Sequence, residues 1–281
     1  MRIIDTMDGI EAMASAYDGN SDNLLPLWKT YMENMPKIRD LCESDLEEGD
    51  LERVVPIMHE ALTVKLPAMR EAHVNFKKAV FKIETAFHEL CGGKEDTALY
   101  YYMGLANAAG WAAMIDGEGA MLIGAAKIAE LGWQGEDQML GLVSHELAHD
   151  AHRILRGESI SKDFDTMEDT WAWRLYIEGF AQKNQQLLQG NGDYHQDDGE
   201  WLDYCRRNLD RLKNVYKERL VEGKSAQDFY GDWTKFEGVA DLGYYLGAVW
   251  VSALQERYTN EQIARFELDK IKSEVYDFLN S

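Results

Sequence analysis

Proline is scarce in this chain: four residues in 281, and none after Pro67. Beyond that point no side chain removes a helical N–H donor, so long uninterrupted helices are open to most of the sequence. Cysteine is scarcer still. Cys42, Cys91 and Cys205 are odd in number, far apart and at no metal-ligand spacing, which excludes a disulfide framework and a cysteine zinc ribbon and suits a reducing compartment. Positive charge is short as well, with 29 Lys and Arg against 50 Asp and Glu and a net charge of −21. A nucleic acid or an anionic membrane surface would be repelled by that balance. No apolar run approaches the length of a membrane span. The start, Met1-Arg2-Ile3-Ile4-Asp5-Thr6, is followed by Asp8 and Glu11 and lacks the apolar core of a secretory signal. The expectation is a soluble cytoplasmic protein, of no stated oligomeric order, that binds neither nucleic acid nor membrane.

Apolar material is plentiful. Hydrophobic residues make up 46% and aromatics 11%, with eight tryptophans, enough for a sizeable core. Residues 1–93 read as helices: Leu24, Leu25, Trp28, Tyr31 and Met32 recur at helical spacing, as do Val54, Met58 and Leu62. Val74, Phe76, Val80, Phe81, Ile83 and Phe87 continue the pattern, and the acidic run 43–52 reads as a solvated connection. After Gly92-Gly93 the pattern changes. Residues 97–103, 106–115 and 120–125 read as two or three short antiparallel strands, with a tight turn in Asp116-Gly117-Glu118-Gly119. A free edge on such a sheet offers a place for an extended peptide to pair. Further helices are expected over 165–188, 201–221 and 233–258, with a loop over 190–199 between the first two and Thr259-Asn260-Glu261-Gln262 as a capping box opening the last. The division expected is a helical region over 1–93 and a second domain over 94–281, with one continuous domain as the alternative.

One stretch carries the chemistry. Residues 138–156 form an amphipathic helix, with Leu140, Val143, Leu147, Ala151 and Leu155 on one stripe and Gly157 as its stop. Within it lies His145-Glu146-Leu147-Ala148-His149. On a helix His145 and His149 are one turn apart and share a face, so both imidazoles reach one ion. Glu146 then stands beside the remaining coordination position, where a carboxylate takes a proton from water.

Two histidines need a third protein ligand. His152 lies seven residues from His145, about 10 Å along the axis, too far to converge on the same ion. A histidine at the metzincin spacing is absent, because that position is Leu155. Among the downstream acids, Glu168 and Asp169 sit where a helix begins and acids are welcome. Glu178 is embedded in Leu175-Tyr176-Ile177-Glu178-Gly179-Phe180-Ala181, where an unpaired carboxylate is costly, and the adjacent glycine permits close helix approach. Glu178 is the third ligand this reading selects.

The pair of motifs, His145-Glu146-x-x-His149 and Glu178-Gly179-Phe180-Ala181, resembles the gluzincin metallopeptidases, whose glutamate ligand lies on the helix after the motif helix. The second motif is similar to the Asn-Glu-Gly-Phe-Ala element of zinc aminopeptidases in that clan. The longer gap and Gly243-Tyr244-Tyr245-Leu246-Gly247 look more like the family of predicted zinc-dependent proteases of unknown substrate. The resemblance covers residues 97–258. It implies a mostly helical α+β fold, with a zincin-like core whose small antiparallel sheet packs beside the motif helix. It implies one zinc ion on His145, His149 and Glu178, Glu146 as general base, and a peptide or protein substrate. Tyr244, three residues before Gly247, takes the place of the family's oxyanion-binding tyrosine, with Tyr245 as its rival. Two positions depart from relatives in the clan: Gln182 stands where some carry an aspartate, and the aminopeptidases' Gly-x-Met-Glu-Asn element has only Gly117-Glu118-Gly119 as a stand-in. The competing expectations are a helical binding or scaffold protein with a structural metal or none, and a metal hydrolase acting on a non-peptide amide or ester.

Overall fold

The computed structural model describes residues 1–192, 199–231 and 234–281. Contacts divide the chain into two compact units, Met1–His88 with Lys94–Glu146, and Glu89–Gly93 with Leu147–Ser281. Helix predominates in both, and the first also holds a four-stranded sheet, so the chain is a mostly helical α+β protein. Among the described residues no helix is long and apolar enough to cross a membrane.

The first unit begins with strand β1 (Arg2–Asp5) and helices α1 (Met7–Ala16), α2 (Leu24–Tyr31), α3 (Pro36–Ser44), α4 (Asp50–Thr63) and α5 (Leu66–Leu90). Strands β2 (Ala98–Tyr102), β3 (Gly110–Ile115) and β4 (Glu118–Gly124), helix α6 (Ala125–Leu131) and the first half of α7 (Glu136–Arg156) complete it. Sheet order is β1-β2-β4-β3. The expected antiparallel sheet is corrected to a mixed one: β1 pairs with β2 and β2 with β4 in parallel, and only β3 and β4 are antiparallel. That hairpin closes through Asp116 and Gly117, both at positive φ, as a two-residue turn matched to strand twist requires. The missed strand, β1, is too short for a period to show, and its partner in register, Ala98, is remote in sequence.

Helix α5 buries Met69, Ala72, Phe76, Ile83 and Phe87 along one stripe. Phe81 and Val74, expected in the core, are instead 84% and 53% exposed, because they lie on the helix face opposite that stripe. Tyr101 and Trp28 anchor helices to the strand region, the Tyr101 hydroxyl donating to the Met69 carbonyl at 2.6 Å and the Trp28 indole to the Met103 carbonyl at 2.7 Å.

Asp5, at the end of β1, gives this unit a pH signature. Burial raises its pKa, but Lys77 at 2.6 Å, His73 at 2.8 Å and the Met7 amide at 3.1 Å outweigh that and lower it to about 2. A depressed carboxyl stabilises the folded state above its unfolded pKa near 4, and the contribution fades as pH falls through about 2. Unfolding free energies of wild type and Asp5→Asn should therefore differ by about 1–2 kcal/mol at pH 6, after discounting for partial exposure, and by about half as much near pH 3. A gap that stays constant over this range would contradict the assignment.

The second unit continues α7 and adds α8 (Met167–Gln189), α9 (Glu200–Arg207), α10 (Leu209–Glu222), α11 (Leu242–Gln255), α12 (Asn260–Ala264) and α13 (Leu268–Asn280). The helix expected over 201–221 is broken at Asn208 into α9 and α10. The one expected over 233–258 is shorter, starting at Leu242; Trp233 lies outside the described residues, as does most of the loop expected over 190–199. The capping box is present at Thr259 in both its hydrogen bonds, but it opens the short α12 and not the last helix, α13. Two buried hubs knit the unit: Arg156 donates to the Ala264 and Phe266 carbonyls, and Tyr176 to the Ile263 carbonyl.

Helices α8 and α11 meet at a pair of glycines. A Cβ placed on Gly179 would lie 2.6 Å from the Gly247 carbonyl oxygen and 2.7 Å from its Cα, all backbone atoms that cannot swing aside. Gly179→Ala should cost about 3 kcal/mol, at the upper end of overpacking penalties, and Gly247→Ala a similar amount. Urea unfolding measures both, and a loss below about 0.5 kcal/mol for either would show that the helices slide apart freely.

Candidate metal centre

Helix α7 forms where the apolar stripe placed it, and Leu140, Val143, Leu147, Ala151 and Leu155 are all buried. His145 and His149 lie one turn apart on this helix. Helix α8 is started by Thr166, whose hydroxyl accepts from the Asp169 amide at 3.1 Å, and stopped by Gly190 in the left-handed region. Its register brings Glu178 to the two histidines. One donor atom from each of His145, His149 and Glu178 lies within 4.8 Å of the others.

These three residues fit a metal ion. His149 Nε2 and Glu178 Oε2 are 3.3 Å apart, close to the ~3.4 Å that separates two ligands of a tetrahedral ion with bonds of about 2.1 Å. Glu178 is 4% exposed, Glu146 6% and His149 8%, while His145 is half-buried. Two imidazoles and a carboxylate form a borderline donor set suited to zinc and its first-row neighbours.

The rival ligands are engaged elsewhere. Glu168 and Asp169 pair with Lys272 at 3.0 and 2.7 Å, and Tyr276 donates to Glu168. His152 is fully buried, stacked on Phe180 at 4.2 Å and edge-on to Tyr176, and burial pushes its pKa well below the ordinary histidine value. It serves packing as a neutral ring.

No family model, curated protein or solved structure matches this chain. Function must therefore be read from the residues themselves.

Beside Glu146 the sheet makes room. A Cβ on Gly110, the first residue of β3, would lie 2.6 Å from Glu146 Oε1. Among the described residues β3 is an outer strand of the sheet, and its first residue lies beside the carboxylate. Nothing in the sequence singled out Gly110.

Arg174 is the second residue the sequence reading missed. It stands one turn before Glu178 on α8, and its guanidinium lies 3.1 Å from Glu178 Oε1 and over the Tyr230 ring, 5.5 Å from its centre. The Glu178 carboxylate drives the Arg174 pKa upward against burial, with Tyr244, Tyr230 and Tyr216 adding to the effect. Tyr230 is held from several sides: its hydroxyl is 2.9 Å from that of Tyr216, which donates to the Trp171 carbonyl, and Gly243 leaves space where a Cβ would strike the ring. A cation inside the run Trp171-Ala172-Trp173-Arg174-Leu175-Tyr176 was the available signal.

Tyr244 belongs to this group. Its ring is 5.7 Å from that of Tyr230, and it lies one helical turn before Gly247, the residue in contact with Gly179. Tyr245 points instead to Trp201, edge-on at 6.2 Å. Glu237 and Asp241 precede α11: Glu237 pairs with Arg211 in a turn, and Asp241 accepts from the Gly231 amide at 3.0 Å.

Proposed function

We propose that this chain is a zinc-dependent peptidase of the gluzincin type, hydrolysing peptide bonds with Glu146 as its general base. The observation carrying this reading is the meeting of His145, His149 and Glu178 with Glu146 set between the two histidines on α7. His145, His149 and Glu178 would hold the ion. When bound, zinc supplies Lewis acidity, polarising a carbonyl and lowering the pKa of water to about 7.

The remaining steps belong to side chains. Glu146, almost wholly shielded from solvent, accepts a proton from water at a carboxylate oxygen and returns it to the leaving amine nitrogen. The Tyr244 hydroxyl donates a hydrogen bond to the oxygen that gains negative charge. The outer position of β3 supports a peptide substrate in particular: an extended chain would pair along it with main-chain hydrogen bonds fixing its register, and the strand begins beside Glu146.

The test is hydrolysis of a pooled peptide library by the zinc-loaded protein, read by mass spectrometry with and without chelator. New termini that vanish on chelation and return with zinc are expected. Metal bound with no cleavage of any peptide would favour a structural ion, and cleavage confined to non-peptide amides or esters would reassign the substrate.

A further inference from the structure

We infer that Arg174 makes the proposed site a reader of carboxylates, so that the preferred substrate carries a free carboxylate, such as a peptide C-terminus, within reach of the bond being broken. This rests on the peptidase reading and names its substrate class. Three observations lead to it. The guanidinium is ion-paired through one nitrogen, Nη2, to Glu178 Oε1, and its central carbon lies over the Tyr230 ring, 5.5 Å from its centre. Among the described residues no hydrogen bond engages Nε or Nη1, and the side chain as a whole is partly exposed beside the ligand group. Tyr230, buried and tied to Tyr216, is a fixed aromatic neighbour for the guanidinium.

Charge supplies the rest. Glu146 and Glu178 together balance a dication, so with the ion bound Arg174 is left as surplus positive charge. On a chain of net charge −21 that is an uncommon local sign, and it selects an anion. A guanidinium edge matches a carboxylate with two parallel N–H···O bonds, whereas an amide end offers it one acceptor and no charge. A role confined to orienting Glu178 would leave the remaining donors without a purpose, and it makes a different forecast for metal affinity.

The experiment compares two peptide pools of identical composition, one ending in free acids and one in C-terminal amides, on wild type, Arg174→Met and Arg174→Lys. Wild type is expected to cleave the free-acid pool at least about tenfold better. On a free-acid peptide chosen from that pool, Arg174→Met should raise KM at least about tenfold with kcat within about threefold and zinc content unchanged. Arg174→Lys should recover part of the loss, keeping the charge without the fork. Equal cleavage of the two pools overturns the inference, as does a preference that survives Arg174→Met, a fall in kcat at constant KM, or zinc loss in the variant. If wild type cleaves neither pool, the peptidase reading fails on its own. Thermal shifts of the zinc-loaded protein then decide the carboxylate site: stabilisation by the acid pool alone, abolished in Arg174→Met, supports it, and equal or absent shifts overturn it.

Discussion

Replacing Glu146 by glutamine is expected to lower turnover roughly 10²–10⁴-fold, the range over which a general base contributes, while the protein keeps its metal. The two halves of that expectation have separate causes. Glutamine has the shape of glutamate, so it fits the space beside Gly110 without moving α7 or β3. An amide cannot accept the proton that water must lose. Glu146 is outside the group of three that converge, so the affinity for the ion is set elsewhere. Metal content measured beside peptide cleavage separates the outcomes. A variant that stays active removes Glu146 from the chemistry, and one that loses its metal makes Glu146 a ligand.

The second large effect is expected at Glu178. Glu178→Gln removes the only carboxylate among the three converging side chains, and metal affinity should fall at least about a hundredfold, no less than the loss of an outer-shell partner. A second consequence follows from Arg174. The buried carboxylate is its ion-pair partner, and removing one member of such a pair leaves the other poorly compensated. Because Arg174 also lies over Tyr230 and reaches solvent, the stability cost should stay at about 1–3 kcal/mol rather than unfold the chain. Competition against a coloured chelator gives the affinity and urea unfolding the stability. Unchanged affinity would place the third ligand elsewhere. Equal losses for Asp169→Asn would show a general rather than a local effect.

How much of this was legible in the residues varied with the length of the signal. Helix α7 and its two histidines were readable because five apolar residues, a stop glycine and the motif agree over one long segment. Glu178 was readable for a different reason: an acid inside an apolar run needs a partner, and only a few candidates existed. The sheet's pairing was not, since parallel neighbours such as Arg2 and Ala98 leave no local mark, unlike the Asp116-Gly117 turn. Phe81 shows the limit of periodicity, since hydrophobicity marks a residue as able to be buried without saying which face of α5 wins. Arg174 went unread because its partner stands on the same helix, and an Arg–Glu pair at that spacing is ordinary on any solvated face. Only the structure puts Glu178 beside His149 and Arg174 over Tyr230.

Metal analysis of freshly purified protein tests the central claim most directly. One equivalent of zinc is expected in the wild type and in Glu146→Gln, and strongly reduced occupancy in His145→Ala, His149→Ala and Glu178→Gln. A wild-type protein that binds no zinc even when it is supplied, that holds iron in its place, or that keeps full occupancy after Glu178→Gln would contradict the account.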